Sequence, residues 1–298
     1  MKNYSNIAIV ASFFGLWMDS FLSTKMQILS GFLLIFTFGI LHGANDLLLI
    51  KNTNTIKQTN SRFKILAYYV MVVLAGIFLF YIIPQVALLL FIIVSANHFG
   101  EQQWQNLEHD FPTWLLLLFH FFYGFVILLL LFNFHTIQVQ NIIFKIANVL
   151  VPLPYFWIAL QVSVGAFLGL SAYFYWKSEK IRKKLLVEFF FLLLFAILFK
   201  SSSLIWGFAI YFVLWHSIPS IIDQIKFLNG SFSTTYFVAY CRAAGVYWLI
   251  SIVGIALIYF IFREEQLFNA LFFSFLAAIT FPHAVVITRM FGTKQTTK

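Results

Sequence analysis

Four histidines stand within apolar runs: His42 in "GILHGANDLLLI", His98 in "SANHFGEQQW", His216 in "LWHSIPSIIDQ" and His283 in "TFPHAVVITRM". An imidazole on a membrane-spanning helix is costly and faces a bundle interior or a cavity. Neutral imidazoles suit Zn, Cu, Fe and Ni, whereas Mg and Ca prefer oxygen. A shared transition-metal or proton site is therefore the first chemistry to consider. Asp46 lies four residues after His42, and Glu101 and Gln102 lie three and four after His98. On a continuous helix these spacings share one face, where a carboxylate can accept the second ring N–H of a ligating histidine and fix its tautomer. Asp46 and Glu101 are the expected supports. Cys241 is the only cysteine, which excludes an intrachain disulfide and any multi-thiolate metal site.

The elements that must carry these residues are membrane helices. The chain has 298 residues, 62% hydrophobic and 10% charged, with a mean hydropathy of +0.91, far outside the balance of a soluble domain. Long apolar runs recur from end to end without strand-like alternation, which points to one all-α polytopic domain over 1–298. Punctuation by turns and charges predicts about ten spans, near 6–21, 27–49, 65–83, 85–103, 113–133, 154–176, 185–199, 203–222, 236–262 and 266–288. The first, "IAIVASFFGLWM", is followed by no small-x-small cleavage site and reads as a short span. The segment 137–152 is too polar to span and reads as interfacial. No internal repeat stands out.

The net charge of +9 reflects internal loops and not nucleic-acid binding. With the first loop outside, 15 of the 19 basic residues fall on the internal side, leaving Lys25, Lys145, Lys200 and Arg263 outside. This predicts both termini in the cytoplasm.

The four histidines lie on the even-numbered spans, 15, 13, 13 and 17 residues from Gln27, Gln85, Ser203 and Gln266. At about 1.5 Å per residue they sit roughly 20 to 26 Å across the membrane, which would let them share one layer near the cytoplasmic face. Pro219 and Pro282 predict bends beside His216 and His283, and Gly43 leaves room for a close approach to His42. The plain alternative for a single histidine is a hydrogen-bonded link between helices. His109, His120 and His135 lack such company and read as loop, lipid-edge or interface residues. Trp104 and Trp215 read as interfacial or packing residues before cofactor-stacking groups. Glu188 either snorkels toward the basic stretch 177–184 or pairs within the bundle.

The HxxxH and HxxHH boxes of desaturases and the HExxH of zinc proteases are absent. A haem-b bundle stays open, as does a transporter or structural bundle that handles protons or metal through His42, Asp46 and Asp223. The ordered set "HGANDLLL", "ANHFGEQQW", "WHSIPSIIDQ" and "FPHAVVI", over roughly residues 38 to 288, resembles the Brp/Blh family of membrane β-carotene 15,15'-dioxygenases. The resemblance implies a non-haem Fe(2+) enzyme that splits the central double bond of β-carotene with O2 into two all-trans-retinal. It implies the inner membrane of a bacterium, with a microbial rhodopsin as acceptor of the retinal. His42, His98, His216 and His283 would be the iron ligands, with Asp46 and Glu101 behind them. Some members carry a further histidine one turn after the Trp-His pair; here that place is Ser220, which would either line the site or mark a diverged paralogue with another carotenoid substrate. Phe99, Trp104, Trp215 and Phe281, next to the histidines, are the expected lining of a polyene tunnel.

Overall fold

In a computed structural model the described residues are 2–53, 62–105, 111–261 and 265–296, and their regular elements are all helical. His109, Arg263, Lys298 and parts of the loops 51–64 and 101–110 lie outside the described residues. The helices are α1 (Lys2–Asp19), α2 (Thr24–Asn52), α3 (Arg62–Ile82), α4 (Pro84–Gln103), α5 (Thr113–Phe134) and α6 (Thr136–Ala147). They continue with α7 (Leu153–Lys177), α8 (Glu179–Ser201), α9 (Leu204–Asn229), α10 (Thr234–Ile261) and α11 (Glu265–Thr296).

All ten expected spans fall on helices, but among the described residues seven are long and apolar enough to cross a membrane: α2, α3, α5, α7, α9, α10 and Ser274–Gly292 of α11. Polar residues set the other three apart. They occupy both ends of α1, the "SANHFGEQQ" end of α4 and the charged first turns of α8. The 12 residues of α6 are too few to span. Most of α3 and α10 is exposed apolar side chain, including Met71, Leu74, Phe78, Val246, Ile250 and Leu257. Such faces belong in lipid, and the chain is a membrane protein.

Two helices depart from α geometry at informative places. In α2 a π turn at Ile35–Gly39 precedes His42, and the helix breaks at Ala44 and Asn45. In α9 a π turn at Tyr211–Ser217 contains His216. Pro219 has no N–H to return to the carbonyl four residues back, and the π turn takes up the resulting slack. Pro282, by contrast, sits inside a continuous α11.

The chain divides into two units. The first comprises residues 1–34, 95–141 and 150–216. Lipid removes the hydrophobic drive between helices, so close packing and hydrogen bonds decide their association. Here α4 and α5 touch backbone to backbone: a Cβ on Gly100 would sit 1.9 Å from the His120 carbonyl oxygen, and one on Gly124 1.9 Å from that of Ala96. Ala96 and Gly100, four apart, form the small-residue seam of α4. Beside it Phe119 packs on Phe167 and Phe174, with ring centroids 5.4 and 4.9 Å apart. Trp206 Nε1 donates to the Gly15 carbonyl and Trp215 Nε1 to Ser12 Oγ, at 3.1 and 2.9 Å, tying α1 to α9.

The second unit comprises residues 35–94, 142–149 and 217–298. Gly76 of α3 faces Ala278 and Phe281 of α11, where an added Cβ would lie 3.4 Å from Ala278 Cα. Leu49 packs with Val286, Ile287, Met290 and Phe291, and Ile221 and Ile225 pack with Tyr240. Trp248 Nε1 donates to the Phe36 carbonyl at 2.7 Å, which holds α10 against the π turn of α2.

Candidate metal centre

In the second unit, His42 and His283 face each other with ring centroids 4.7 Å apart and planes at 89°. His42 Nδ1 bonds to the Gly39 carbonyl in the π turn. A carbonyl only accepts, so Nδ1 carries the proton and Nε2 the lone pair. The His42 carbonyl, at the end of a broken helix, accepts Gln224 Nε2 at 2.8 Å and has the Tyr240 hydroxyl 3.3 Å away. Gln224 also takes the Tyr240 hydroxyl on its Oε1 at 2.7 Å and contacts Ser220 Oγ at 3.1 Å. Ser220 is thus a buried prop of the Gln224 amide.

His283 Nδ1 donates to Asp46 Oδ1 at 2.8 Å, and Asp46 Oδ2 accepts the Tyr69 hydroxyl at the same distance. This corrects the expected pairing of Asp46 with His42. The four-residue rule presupposes a continuous helix, and the break at Ala44 and Asn45 turns the carboxylate to α11 instead. A Cβ on Gly43 would lie 3.6 Å from His283 Nδ1, so the close approach expected at Gly43 is made by the His283 ring.

In the first unit, His98 of α4 and His216 of α9 lie with ring centroids 4.8 Å apart and planes at 79°. Phe99 meets the His216 ring edge-on at 4.7 Å, and Phe212 stacks on it at 5.3 Å. Gln102 Nε2 donates to the His216 carbonyl at 2.8 Å. All four histidines and Asp46 are at most 5% exposed.

The remaining expected residues take varied places. Glu101 is half-buried. Trp104 is locked between Phe119 and Tyr123, with Lys184 Nζ 4.6 Å from its ring centroid. Trp215 packs on Phe191 and Phe195, and Phe281 covers Gly76. Asp223 is buried on α9. Glu188 pairs inside the unit: it accepts Tyr123 Oη at 2.7 Å and Gln103 Nε2 at 2.8 Å, and lies 3.3 Å from Lys184 Nζ. His120 is half-buried, and its backbone lies against Gly100 at the α4–α5 contact. His135 caps α5 and donates Nε2 to the Phe199 carbonyl at 2.9 Å. Tyr69, Gln224 and Tyr240 escaped the sequence reading. Each is a polar group in an apolar run, a visible signal, but spacing does not reveal which histidine it serves.

These residues fit a divalent transition metal. Two imidazole nitrogens about 2.1 Å from one cation put their ring centroids roughly 4.5–5.2 Å apart at N–metal–N angles of about 90–110°, and each pair falls in that range. His42 and His283 also have their Nδ1 protons fixed by acceptors, the arrangement that presents Nε2 to a metal. A match to the family model described as Beta-carotene 15,15'-dioxygenase covers residues 33–291. No curated protein and no solved structure matches the chain. The family match spans both histidine pairs and every polar residue that supports them, and the chain belongs to the beta-carotene 15,15'-dioxygenase family.

Proposed function

We propose that the chain cleaves the central 15,15' double bond of β-carotene with O2, one molecule of each giving two all-trans-retinal. The reading is carried by the family match over residues 33–291, and the two buried histidine pairs support it. In this reading His42, His98, His216 and His283 together hold one Fe(2+), which when bound supplies activation of dioxygen at the polyene.

The chain's own residues do the rest. Asp46 and the Gly39 carbonyl hold the His283 and His42 rings in one tautomer. Gln102 pins the backbone of His216 inside a π turn, and Gln224 pins that of His42 at the helix break. Phe99 and Phe212 wall the His216 ring with apolar surface, which suits a hydrocarbon substrate. Phe99 and Phe281 are the lining residues we favour, while Trp104 and Trp215 fix helices around them. β-Carotene is about as long as the hydrocarbon core is thick, roughly 30 Å, so it enters from the bilayer. The distribution of basic residues supports a topology with both termini in the cytoplasm, and the inner membrane of a bacterium is the location this reading favours. A microbial rhodopsin is the acceptor we assign to the retinal.

The test is expression in a β-carotene-producing bacterial strain beside a His98→Ala control, with carotene, retinal and iron quantified. Two retinal per carotene lost, with iron in the intact protein and neither in the control, is the expected result. Unchanged carotene with good membrane expression, or apocarotenals from off-centre cleavage, would refute it.

A further inference from the structure

Gln102 and Gln224 perform the same task in the two units. Each donates its side-chain N–H to the backbone carbonyl of a histidine at 2.8 Å, Gln102 to His216 and Gln224 to His42. Because a carbonyl only accepts, these bonds determine which end of each amide is nitrogen and which is oxygen. The oxygens then differ. Gln224 Oε1 accepts the Tyr240 hydroxyl at 2.7 Å. Gln102 Oε1 is buried in a side chain 5% exposed, and no group among the described residues donates to it.

A buried acceptor without a donor is costly, and native structures satisfy nearly all of them. The position of this one is informative: Gln102 stands one helical turn beyond His98 and is bonded to the residue that carries the other ring of the pair. Its donor must be small and must carry hydrogen on an electronegative atom. β-Carotene is a hydrocarbon and dioxygen has no hydrogen, so neither qualifies. We propose that Gln102 Oε1 holds a water molecule beside the His98–His216 pair. A water that donates one hydrogen there keeps its lone pairs for an electrophilic neighbour. On the iron reading above, on which this part rests, Gln102 is a positioning residue for the exchangeable water of the metal site.

The test compares wild type, Gln102→Met and Gln224→Met, each loaded with ferrous iron and treated with nitric oxide. EPR spectra are recorded in ordinary and in 17O-enriched water. The wild type and Gln224→Met are expected to broaden in 17O-water, whereas Gln102→Met binds iron but does not broaden. Equal broadening in all three, no broadening in the wild type, or its loss in Gln224→Met as well overturns the proposal. A wild type that binds no iron refutes the proposed function and not the water. The water is then decided by a structure of the wild-type protein at a resolution that shows ordered solvent. Density about 3 Å from Oε1 supports it, and an apolar or protein group filling that place overturns it. The same structure decides the matter if Gln102→Met does not fold.

Discussion

Asp46 offers the sharpest test of how the centre is held. Its two oxygens each accept one hydrogen bond at 2.8 Å, from His283 Nδ1 and from the Tyr69 hydroxyl, in a side chain almost wholly removed from solvent. Asp46→Ala strands both donors, at about 1–3 kcal/mol each, for an expected loss of about 2–6 kcal/mol of stability. Asp46→Asn keeps an acceptor for His283 and most of the fold, but a neutral amide binds the ring N–H roughly half as strongly as a carboxylate. Outer partners of this kind typically set 10–100-fold in metal affinity, which is about 1.4–2.7 kcal/mol. The assay is competition for ferrous iron between detergent-solubilised protein and a chelator, with retinal formation measured at saturating iron. Asp46→Asn should bind iron about 10–100-fold more weakly and regain part of its rate when iron is raised, and Tyr69→Phe should fall between it and wild type. Unchanged iron affinity in Asp46→Asn, alongside loss of iron in His283→Ala, would refute the reasoning.

Other substitutions probe the supports farther out. Gly100→Ala would place a Cβ 1.9 Å from the His120 carbonyl oxygen, against about 3.3 Å for an ordinary C···O contact. It should part α4 from α5 by more than about 1 Å and cost about 100-fold in activity through His98. The comparison is Gly165→Ala, whose Cβ meets nothing within 4 Å; a thermal melt should show it neutral or stabilised by up to about 1 kcal/mol. Tyr123→Phe removes a hydrogen bond to the buried Glu188 carboxylate and should destabilise by about 1.5–3 kcal/mol in a denaturation series. Lys184→Met should destabilise by about 1–3 kcal/mol, because it leaves the Glu188 carboxylate, 1% exposed, without its cation. Gln224→Leu frees the Tyr240 hydroxyl to serve the His42 carbonyl in place of the amide and should weaken iron binding, so that the site fills only with iron in excess, before it lowers the melting temperature.

Much of the fold and of the candidate centre was legible in the amino-acid sequence, because both depend on residue type and local period. Apolar runs of about twenty residues, broken by turns and charge, mark helices whatever their partners, and all ten predicted segments are helical. Among the described residues only seven helices are long and apolar enough to span, because polar residues lower the hydropathy of α1, α4 and α8. Histidines in apolar runs are costly unless buried, and all four are buried. Partner choice was not legible. Asp46 sits four residues from His42 yet serves His283, because a helix break invisible to the spacing rule rotates it away. Likewise Glu188 finds Tyr123 across 65 positions, and Gln224 reaches His42 across 182. Residue types and helical period determined which groups leave the lipid. Only the packing of one helix on another, where a glycine lets backbones touch or a π turn rotates a ring, decided which of those groups meet.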